Sequence, residues 1–239
     1  MRYELYYWPG IPGRGEFVRL ALEAAGADYV DVARLSGRGK GVRAMLGLMN
    51  DAVLSQPPFA PPFLKAGKLV IAQTANILQY LGPRLDLVPA SEASRLWAHQ
   101  LQLTVTDLLF EVHDTHHPIA LGLYYREQRA EAKRRTRYFL KDRVPKYLGY
   151  FEGVAAANRG RMVGRKLSYV DLSLFHVLEG LRYAFPKTIA KLAPDWPTLG
   201  ALHHRVAAQP AVAAYLASSR RIPFNENGIF RHYPELEGR

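Results

Sequence analysis

The spacing of apolar and polar residues changes character near residue 82. Before this point, short apolar runs of strand type alternate with stretches whose apolar residues recur every three or four positions. Strands are predicted at 3–8, 29–32, 63–65 and 69–71, and helices at 17–25 and 74–81. With a further helix between the second and third strands, the order β-α-β-(α)-β-β-α predicts a mixed sheet with helices packed on it.

After residue 82 nearly the whole chain has helical periodicity, which predicts a helical bundle. Helices are predicted at 91–117, 126–157 and 168–183, and a helical pair at 199–219. This pair is broken at Pro210, because proline removes a backbone donor. The tail from Ile222 to Pro234 is aromatic and contains prolines, so we expect it to pack back on the body.

A stretch with proline near each end separates the two patterns. We therefore expect an α/β domain at 1–82, a linker at 83–91, and an all-helical domain with a C-terminal tail at 92–239.

The chain of 239 residues contains no cysteine. This excludes disulfide scaffolds, cysteine zinc sites and a cysteine nucleophile. No apolar run is long enough to predict a membrane span. The N-terminus leads into a strand rather than a cleavable signal, so we expect a cytoplasmic location.

The net charge of +11 favours anionic partners but does not specify them. Basic residues are densest at 126–143, where the helical spacing predicts a solvated helix face. Since no helix-turn-helix or RNA-binding motif accompanies this stretch, the sequence argues against a nucleic-acid partner.

Two glycine-rich segments could hold an anion. The segment 10–15 has the spacing G-x-x-G-x-G, which is not a dinucleotide fingerprint. It predicts either a plain tight turn or a turn that directs Arg14 and a helix N-terminus at an anion. The segment 37–41 lacks the Ser or Thr of a P-loop after Lys40 and predicts a mobile surface loop.

Three histidines, His113, His116 and His117, have the spacing of one helical face. A metal site would need more ligands, and Asp114 points to another side of the helix. We therefore expect no metal and assign these histidines a role in the lining of a cleft or at the surface.

Three separate motifs carry a family resemblance. They are Tyr6-Tyr7-Trp8-Pro9 with Gly13-Arg14-Gly15-Glu16-Phe17-Val18-Arg19-Leu20, then Ala60-Pro61-Pro62-Phe63-Leu64 with Gly67 and residues 73–81, and Leu167-Ser168-Tyr169-Val170-Asp171. Together they resemble glutathione transferases of the cytosolic, tyrosine-type and bacterial-like kind. The resemblance implies a thioredoxin-like domain followed by an all-helical domain, in which Ser168 and Asp171 form a capping box.

The resemblance also implies an activity, in which the thiol of bound glutathione is activated for attack on an electrophile. Peroxidase or isomerase side activity and a role in detoxification are further implications. The alternative is a noncatalytic glutathione-transferase-like adaptor that binds nucleic acid or a protein complex. The positive net charge of the chain suggests this alternative.

The residue that activates the thiol lies, in this family, at the end of the first strand. Cysteine is absent and no serine lies between Met1 and Leu35, which leaves a tyrosine. Tyr6 and Tyr7 point to opposite faces of the strand, so one of them faces the site. Tyr7 fits the family pattern better, but Arg14 comes one residue later than in that pattern, so Tyr6 stays as the alternative.

The resemblance also implies which residues bind glutathione. Gln73 and Thr74 would hold the γ-glutamyl carboxylate at a helix N-terminus, where free N–H groups favour an anion. Arg14 would place positive charge near the thiolate or this carboxylate. Lys40 or Arg43 would meet the glycine carboxylate.

The family has one cis-proline, and the residue before it pairs with the glutathione backbone. Either Pro62 is cis and Pro61, which has no N–H, precedes it, or Pro61 is cis and Ala60 does the pairing. The sequence leaves both arrangements open.

The family further implies a homodimer, in which Asp107 would reach the glutathione of the neighbouring subunit. The electrophile pocket would be lined by Trp8, His113, His117 and Phe224.

Overall fold

A computed structural model describes residues 1–238 of the chain and contains, within them, four β-strands and ten α-helices. The strands are β1 (Tyr3–Tyr6), β2 (Tyr29–Asp31), β3 (Phe63–Ala66) and β4 (Leu69–Ala72). The helices are α1 (Gly15–Ala24), α2 (Gly41–Met49), α3 (Thr74–Arg84), α4 (Glu92–Asp114), α5 (Arg129–Tyr138), α6 (Val144–Ala157), α7 (Tyr169–Ala184), α8 (Pro186–Leu192), α9 (Pro197–Ala207) and α10 (Pro210–Leu216).

The four strands form one mixed sheet in the order β2-β1-β3-β4. Strand β1 runs parallel to β2 and antiparallel to β3, and β3 is antiparallel to β4. Phe63 pairs with Tyr6 on one side and with Ala72 on the other. The ends of β1 and β4 therefore lie beside the beginning of β3, at one end of the sheet.

Alternating side chains of the strands bury two separate apolar faces. Leu5 and Leu64 pack with Val18 of α1 and Ile77 of α3. On the opposite face, a second cluster combines Tyr6 and Phe63 of the sheet with Met45 of α2. The period of two along each strand therefore places α1 and α3 on one side and α2 on the other. The predicted mixed sheet with packed helices is confirmed.

Helix α3 continues past its predicted end. It includes Gly82 and Pro83 and ends at Arg84. Pro83 is in the last turn, where its missing N–H costs a single intrahelical bond. Gly82 has a packing role, since a Cβ there would lie 2.8 Å from the ring of Tyr169. The close approach of α7 thus explains why a glycine is tolerated in this helix.

The second half is the predicted helical bundle, built around the buried helix α7. The predicted capping box at its start is present. Asp171 accepts hydrogen bonds from the backbone N–H and the hydroxyl of Ser168, at 2.7 and 2.6 Å, and from the N–H of Met162 at 2.9 Å. One buried carboxylate therefore fixes both the start of α7 and the loop before it.

The predicted single helix at 126–157 is wrong in detail. A 3₁₀ turn at Tyr125–Glu127 precedes α5, and a π-helical segment at Phe139–Arg143 joins α5 to α6. Pro145, near the start of α6, has no N–H for the regular hydrogen bond to the turn before it, which accounts for the change of helix type there. The short helix α8 was not predicted, because seven residues give too little periodicity.

The tail packs back on the body, as predicted. Ile222, Ile229 and Phe230 are buried, and a Cβ on Gly180 of α7 would lie 2.3 Å from the Phe230 ring. No helix within residues 1–238 is both long and apolar enough to cross a membrane.

Candidate active site

Three chain segments meet at the end of the sheet where β1 and β4 finish and β3 begins. Tyr7 directly follows β1, Pro62 directly precedes β3, and Gln73 directly follows β4. Tyr6, Phe63 and Ala72 are register partners in the sheet. The residues next to them, Tyr7, Pro62 and Gln73, therefore lie side by side at its end. The sheet register therefore brings together residues that are up to 66 positions apart in the sequence.

Tyr7 is buried, with 5% of its surface exposed. Its hydroxyl oxygen accepts a hydrogen bond from the backbone N–H of Arg14 at 2.9 Å, and the guanidinium of Arg19 lies 5.8 Å from the centre of its ring. Burial raises the pKa of Tyr7, although the Arg14 N–H opposes the shift. The phenol therefore stays protonated at neutral pH, and its O–H has no acceptor among the hydrogen bonds of residues 1–238.

Tyr6 points to the other face of the sheet. Its ring stacks on Phe63 at a centroid distance of 4.8 Å, and its hydroxyl donates to the carboxylate of Glu4 at 2.6 Å. Burial and this carboxylate raise the pKa of Tyr6. Its hydroxyl hydrogen is thus already engaged within the protein.

Two glycines make room for the Tyr7 ring. A Cβ at Gly13, whose φ is +41°, would lie 2.2 Å from the Tyr7 hydroxyl oxygen, and a Cβ at Gly15 would lie 2.5 Å from its ring. The turn that the sequence predicts at 10–15 is therefore packed against Tyr7, and small residues are needed at these two positions.

Arg14 connects the sheet to the helical half. Its guanidinium carbon lies 4.9 Å from the centre of the Phe110 ring of α4, and burial lowers the pKa of Arg14. The positive charge of Arg14 is also among the factors that lower the pKa of His113, one helical turn after Phe110. Arg14 therefore lies between Tyr7 and the predicted electrophile pocket.

Gln73 and Thr74 lie at the N-terminus of α3. Gln73 is exposed and has a φ of +68°, a conformation that non-glycine residues adopt rarely. Thr74 is buried, and its hydroxyl oxygen has no hydrogen-bond partner within residues 1–238. A buried hydroxyl at a helix N-terminus, together with free N–H groups, suits an anionic ligand.

The peptide bond between Pro61 and Pro62 is cis, so Pro62 is the cis residue. Of the two arrangements that the sequence allows, the structure has the one in which Pro61 precedes the cis bond. Pro61 can offer its carbonyl to a ligand but no N–H. Ala60, the alternative pairing residue, is exposed and lies two positions before the cis residue.

Lys40 and Arg43 lie at the start of α2, beyond the end of β2. Both are exposed, and together with Arg38 they line a cavity of about 480 Å³. Three positive side chains at one cavity can attract a carboxylate, and Tyr7 is not among the residues that line this cavity.

The four residues predicted for the electrophile pocket have different surroundings. Trp8 is 39% exposed beside Tyr7. Phe224 stacks on His176 at 5.4 Å and packs against the core, while the neighbouring Asn225 donates to the carbonyl of Gly10 at 2.9 Å. The tail thus contacts the turn at 10–15, and His113 faces this region from α4.

The three clustered histidines do not lie on one helix face as the sequence predicts, because α4 ends at Asp114. His116 and His117 follow in a turn, yet all three rings lie together with centroid distances of 4.8–5.1 Å. Burial, with contributions from nearby charges, lowers the pKa of His113 and His117 to about 4 and that of His116 to about 2. All three imidazoles are therefore neutral at pH 7.

Sequence reasoning missed Arg19 as a residue of this site. Arg19 is fully buried, and its guanidinium donates to the Pro12 carbonyl at 3.3 Å as well as lying near the Tyr7 ring. Its spacing from Glu16 on an otherwise apolar helix was the available signal. Phe110, which lies under Arg14, was missed because nothing in the sequence pairs them.

Comparison with known proteins gives a consistent family assignment. Residues 113–219 match the family model described as "Glutathione S-transferase, C-terminal domain". The chain is 25% identical over 224 residues to a glutathione S-transferase of Plasmodium falciparum, covering 90% of this chain and 95% of that protein. It is 26% identical over 225 residues to glutathione S-transferase P 1 of Xenopus laevis, covering 92% and 93%.

Solved structures show the same fold. A Pi-class glutathione S-transferase of Onchocerca volvulus superposes with a TM-score of 0.71 at 23% identity, covering 95% of this chain and 99% of that one. Prostaglandin synthase D of Nilaparvata lugens superposes with a TM-score of 0.72 at 20% identity, covering 93% and 100%.

The match of residues 113–219 and the similarity of the chain to glutathione S-transferases along almost its whole length support a glutathione S-transferase enzyme. The predicted order of a thioredoxin-like region followed by a helical domain is confirmed. The bacterial-like part of the prediction has no support from these relatives, which are eukaryotic.

None of these comparisons supports the alternative of a noncatalytic adaptor. Part of the basic charge near 126–143 is also neutralised locally. Arg143 and Arg135 both contact the carboxylate of Glu111, at 2.7 and 3.3 Å. The net charge alone is no reason to assign a nucleic-acid partner.

The packing of the turn against Tyr7 leads to a prediction. We expect Gly15→Ala to lower kcat/KM for glutathione conjugation at least about tenfold and to lower the free energy of unfolding by about 1–3 kcal/mol, because the new methyl group displaces the Tyr7 ring. Steady-state kinetics and urea unfolding measure both. The matched control is Gly10→Ala, since a Cβ at Gly10 has no neighbour within 4 Å. Equal behaviour of the two variants would contradict this account of the turn.

Proposed function

We propose that this enzyme binds glutathione at the end of the sheet and activates its thiol through Tyr7 for attack on an electrophilic substrate. The observation that carries the proposal is the Tyr7 hydroxyl, which is protonated and oriented by the Arg14 N–H while its own hydrogen has no acceptor within residues 1–238. Tyr6 lacks this property, because its hydroxyl donates to Glu4.

The chemistry requires a thiolate at neutral pH. A free thiol has a pKa of about 8.5, so lowering it by about two units takes roughly 2.7 kcal/mol of preferential stabilisation of the thiolate. A hydrogen bond from Tyr7 to the sulfur stabilises the charged form, and the nearby Arg14 adds positive charge. The thiol proton leaves to solvent. The sulfur lone pair then forms the bond to the electrophilic carbon, and the leaving group takes the displaced electron pair.

Thr74 and Gln73 are the groups that we assign to the γ-glutamyl carboxylate. The unpartnered hydroxyl of Thr74 and the free N–H groups of α3 belong to the same helix N-terminus, where the helix dipole also favours negative charge. The carbonyl of Pro61 would accept from the glutathione backbone, without the reciprocal N–H donor. We assign Lys40 and Arg43 to the glycine carboxylate on their charge alone.

Tyr7→Phe tests the assignment of the thiol-activating residue. We expect kcat/KM to fall about 100-fold, as on removal of one donor that stabilises a developing anion, and the pKa of the bound thiol to rise. The pH profile of kcat/KM and the ultraviolet absorbance of the thiolate report these changes. Tyr6→Phe serves as the control and should stay within about threefold of the wild type. Loss of activity in Tyr6→Phe with retention in Tyr7→Phe would transfer the role to Tyr6.

Thr74→Val tests the carboxylate site separately from the thiol. This isosteric change removes one hydrogen bond to a charged group, worth about 1.5–3 kcal/mol, so we expect the Kd of glutathione to rise about 10- to 100-fold. The pKa of the bound thiol should not change. Calorimetric titration with glutathione measures the affinity. Thr104→Val on α4, whose hydroxyl donates to the Gln100 carbonyl, is the control, and an equal effect there would contradict the assignment.

We further propose a homodimer that uses α4. Leu96, Leu103 and Phe110 are spaced seven residues apart, which places them on one side of this helix, and they are 60%, 46% and 59% exposed. Such an apolar stripe on one chain is typical of an interface. Asp107 is exposed on the same helix, between Leu103 and Phe110, where it could reach a neighbouring subunit.

Leu103→Arg tests this interface. Burying an unpaired charge costs several kcal/mol, so we expect the dissociation constant of the dimer to rise at least about 100-fold. Light scattering coupled to size-exclusion chromatography measures the mass. The control is Leu121→Arg, which changes a more exposed leucine in a loop outside α4. A monomeric wild type, or a dimer that Leu103→Arg leaves intact, would contradict the proposal.

The remaining parts of the sequence-based prediction are side activity as a peroxidase or isomerase, cytoplasmic location and a role in detoxification. They stay predictions, and the assays above do not depend on them.

A further inference from the structure

The histidine cluster at the end of α4 has no role in the glutathione activation proposed above. One nitrogen from each of His113, His116 and His117 lies within 4.8 Å of the others. Within residues 1–238 no other group of three or more histidine or carboxylate side chains converges in this way. Three imidazole nitrogens are a common protein ligand set for zinc.

His116 is held in the orientation that a metal ligand requires. Its Nε2 lies 2.8 Å from the backbone carbonyl of Ile229, and since a carbonyl only accepts, Nε2 carries the hydrogen. Its Nδ1 therefore has a free lone pair. A ligating histidine usually donates its other N–H to a carbonyl or carboxylate in this way, which fixes the tautomer and the ring.

The lone pair of His116 points at its neighbour. The Nδ1 atoms of His116 and His117 are 2.6 Å apart, so the two nitrogens face a common point. Two nitrogens each about 2.1 Å from a tetrahedral zinc ion lie about 3.4 Å apart, so the pair needs to open by less than 1 Å. His113 and His117 are half-buried, whereas His116 is buried and its ring is held by the Ile229 carbonyl of the tail.

We propose that His113, His116 and His117 form a binding site for a divalent transition metal of the zinc class. His116 Nδ1 is the fixed ligand, and the other two rings turn to complete a three-histidine face with one open position. This site is separate from the proposed role of Tyr7 in glutathione activation. It replaces the cleft-lining role that the sequence alone suggests for these residues.

The charges around the cluster restrict the fourth ligand. Arg14 and Arg231 are both close enough to influence these imidazoles, and Asp114 Oδ1 lies 3.8 Å from His113 Nδ1. Two nearby guanidinium groups disfavour a bare cation but favour an anionic ligand on it. We therefore expect hydroxide or a small carboxylate at the open position.

The competing arrangement is a simple hydrogen bond, in which His117 donates its Nδ1 hydrogen to His116 Nδ1. Titration of the untagged chain with Zn²⁺ and with Co²⁺ distinguishes the two. Glutathione is left out, because its thiol would itself bind zinc. We expect one ion per chain by calorimetry, and visible absorption bands of tetrahedral Co²⁺. The absence of cysteine removes thiolate sites from the background.

Variants locate the site. His113→Gln and His117→Gln should each weaken zinc binding at least about 100-fold, because each removes one of the three nitrogen ligands. His204→Gln, which changes an exposed histidine outside the cluster, should bind as the wild type does. Circular dichroism verifies that each variant is folded.

If a variant does not fold, a measurement on the wild-type protein still tests the proposed metal site. Zinc should shift the His116 Nδ1 resonance in the nitrogen spectrum of the imidazoles. The proposal is overturned by an absence of saturable binding, by equal affinity in the cluster variants and His204→Gln, or by an unchanged His116 Nδ1 resonance.

Discussion

The buried guanidinium of Arg19 organises the end of the molecule where the candidate active site lies. A charge with none of its surface exposed must be paired, and Arg19 meets the carboxylate of Asp31 at 2.7 Å and that of Glu16 at 3.4 Å. Burial alone would lower the pKa of Arg19, but these two carboxylates more than offset it and raise the pKa. The guanidinium of Arg19 also contacts the Pro12 carbonyl and the Tyr7 ring. A single cation therefore connects β2, α1 and the turn at 10–15.

The same network extends into the helical half through Glu16. Its carboxylate accepts a hydrogen bond from the hydroxyl of Tyr215 at 2.8 Å and pairs with Arg221. Arg221 in turn lies over the ring of Phe224 in the tail. The position of the tail, and through it the carbonyl that orients His116, is therefore coupled to the helix that carries Arg19. Removal of Arg19 would take a shared cation from the carboxylates of both Glu16 and Asp31, which is costly because both are largely buried.

Much of the architecture follows from local patterns. The strand periodicity, the capping box of α7 and the apolar character of the tail are each visible within a short segment of the sequence. The errors lie where proline interrupts a helical pattern. Pro83 is tolerated in the last turn of α3, where its missing N–H removes a single intrahelical hydrogen bond. Pro145 changes the helix type before α6 without ending the helical stretch. In both cases the surrounding packing determines the outcome, and it does not appear in the local sequence.

The sequence by itself determined the resemblance to glutathione transferases, the order of the two structural regions and a short set of candidate residues, because these depend on motif spacing and on which residue types are present or absent. The tertiary structure decided which face each tyrosine occupies, which proline is cis and where the histidine nitrogens point. These features depend on contacts between distant segments: the register of β1 with β3, and the tail carbonyl that fixes His116. Orientation is a property of the packed molecule, so residue identity alone does not define it.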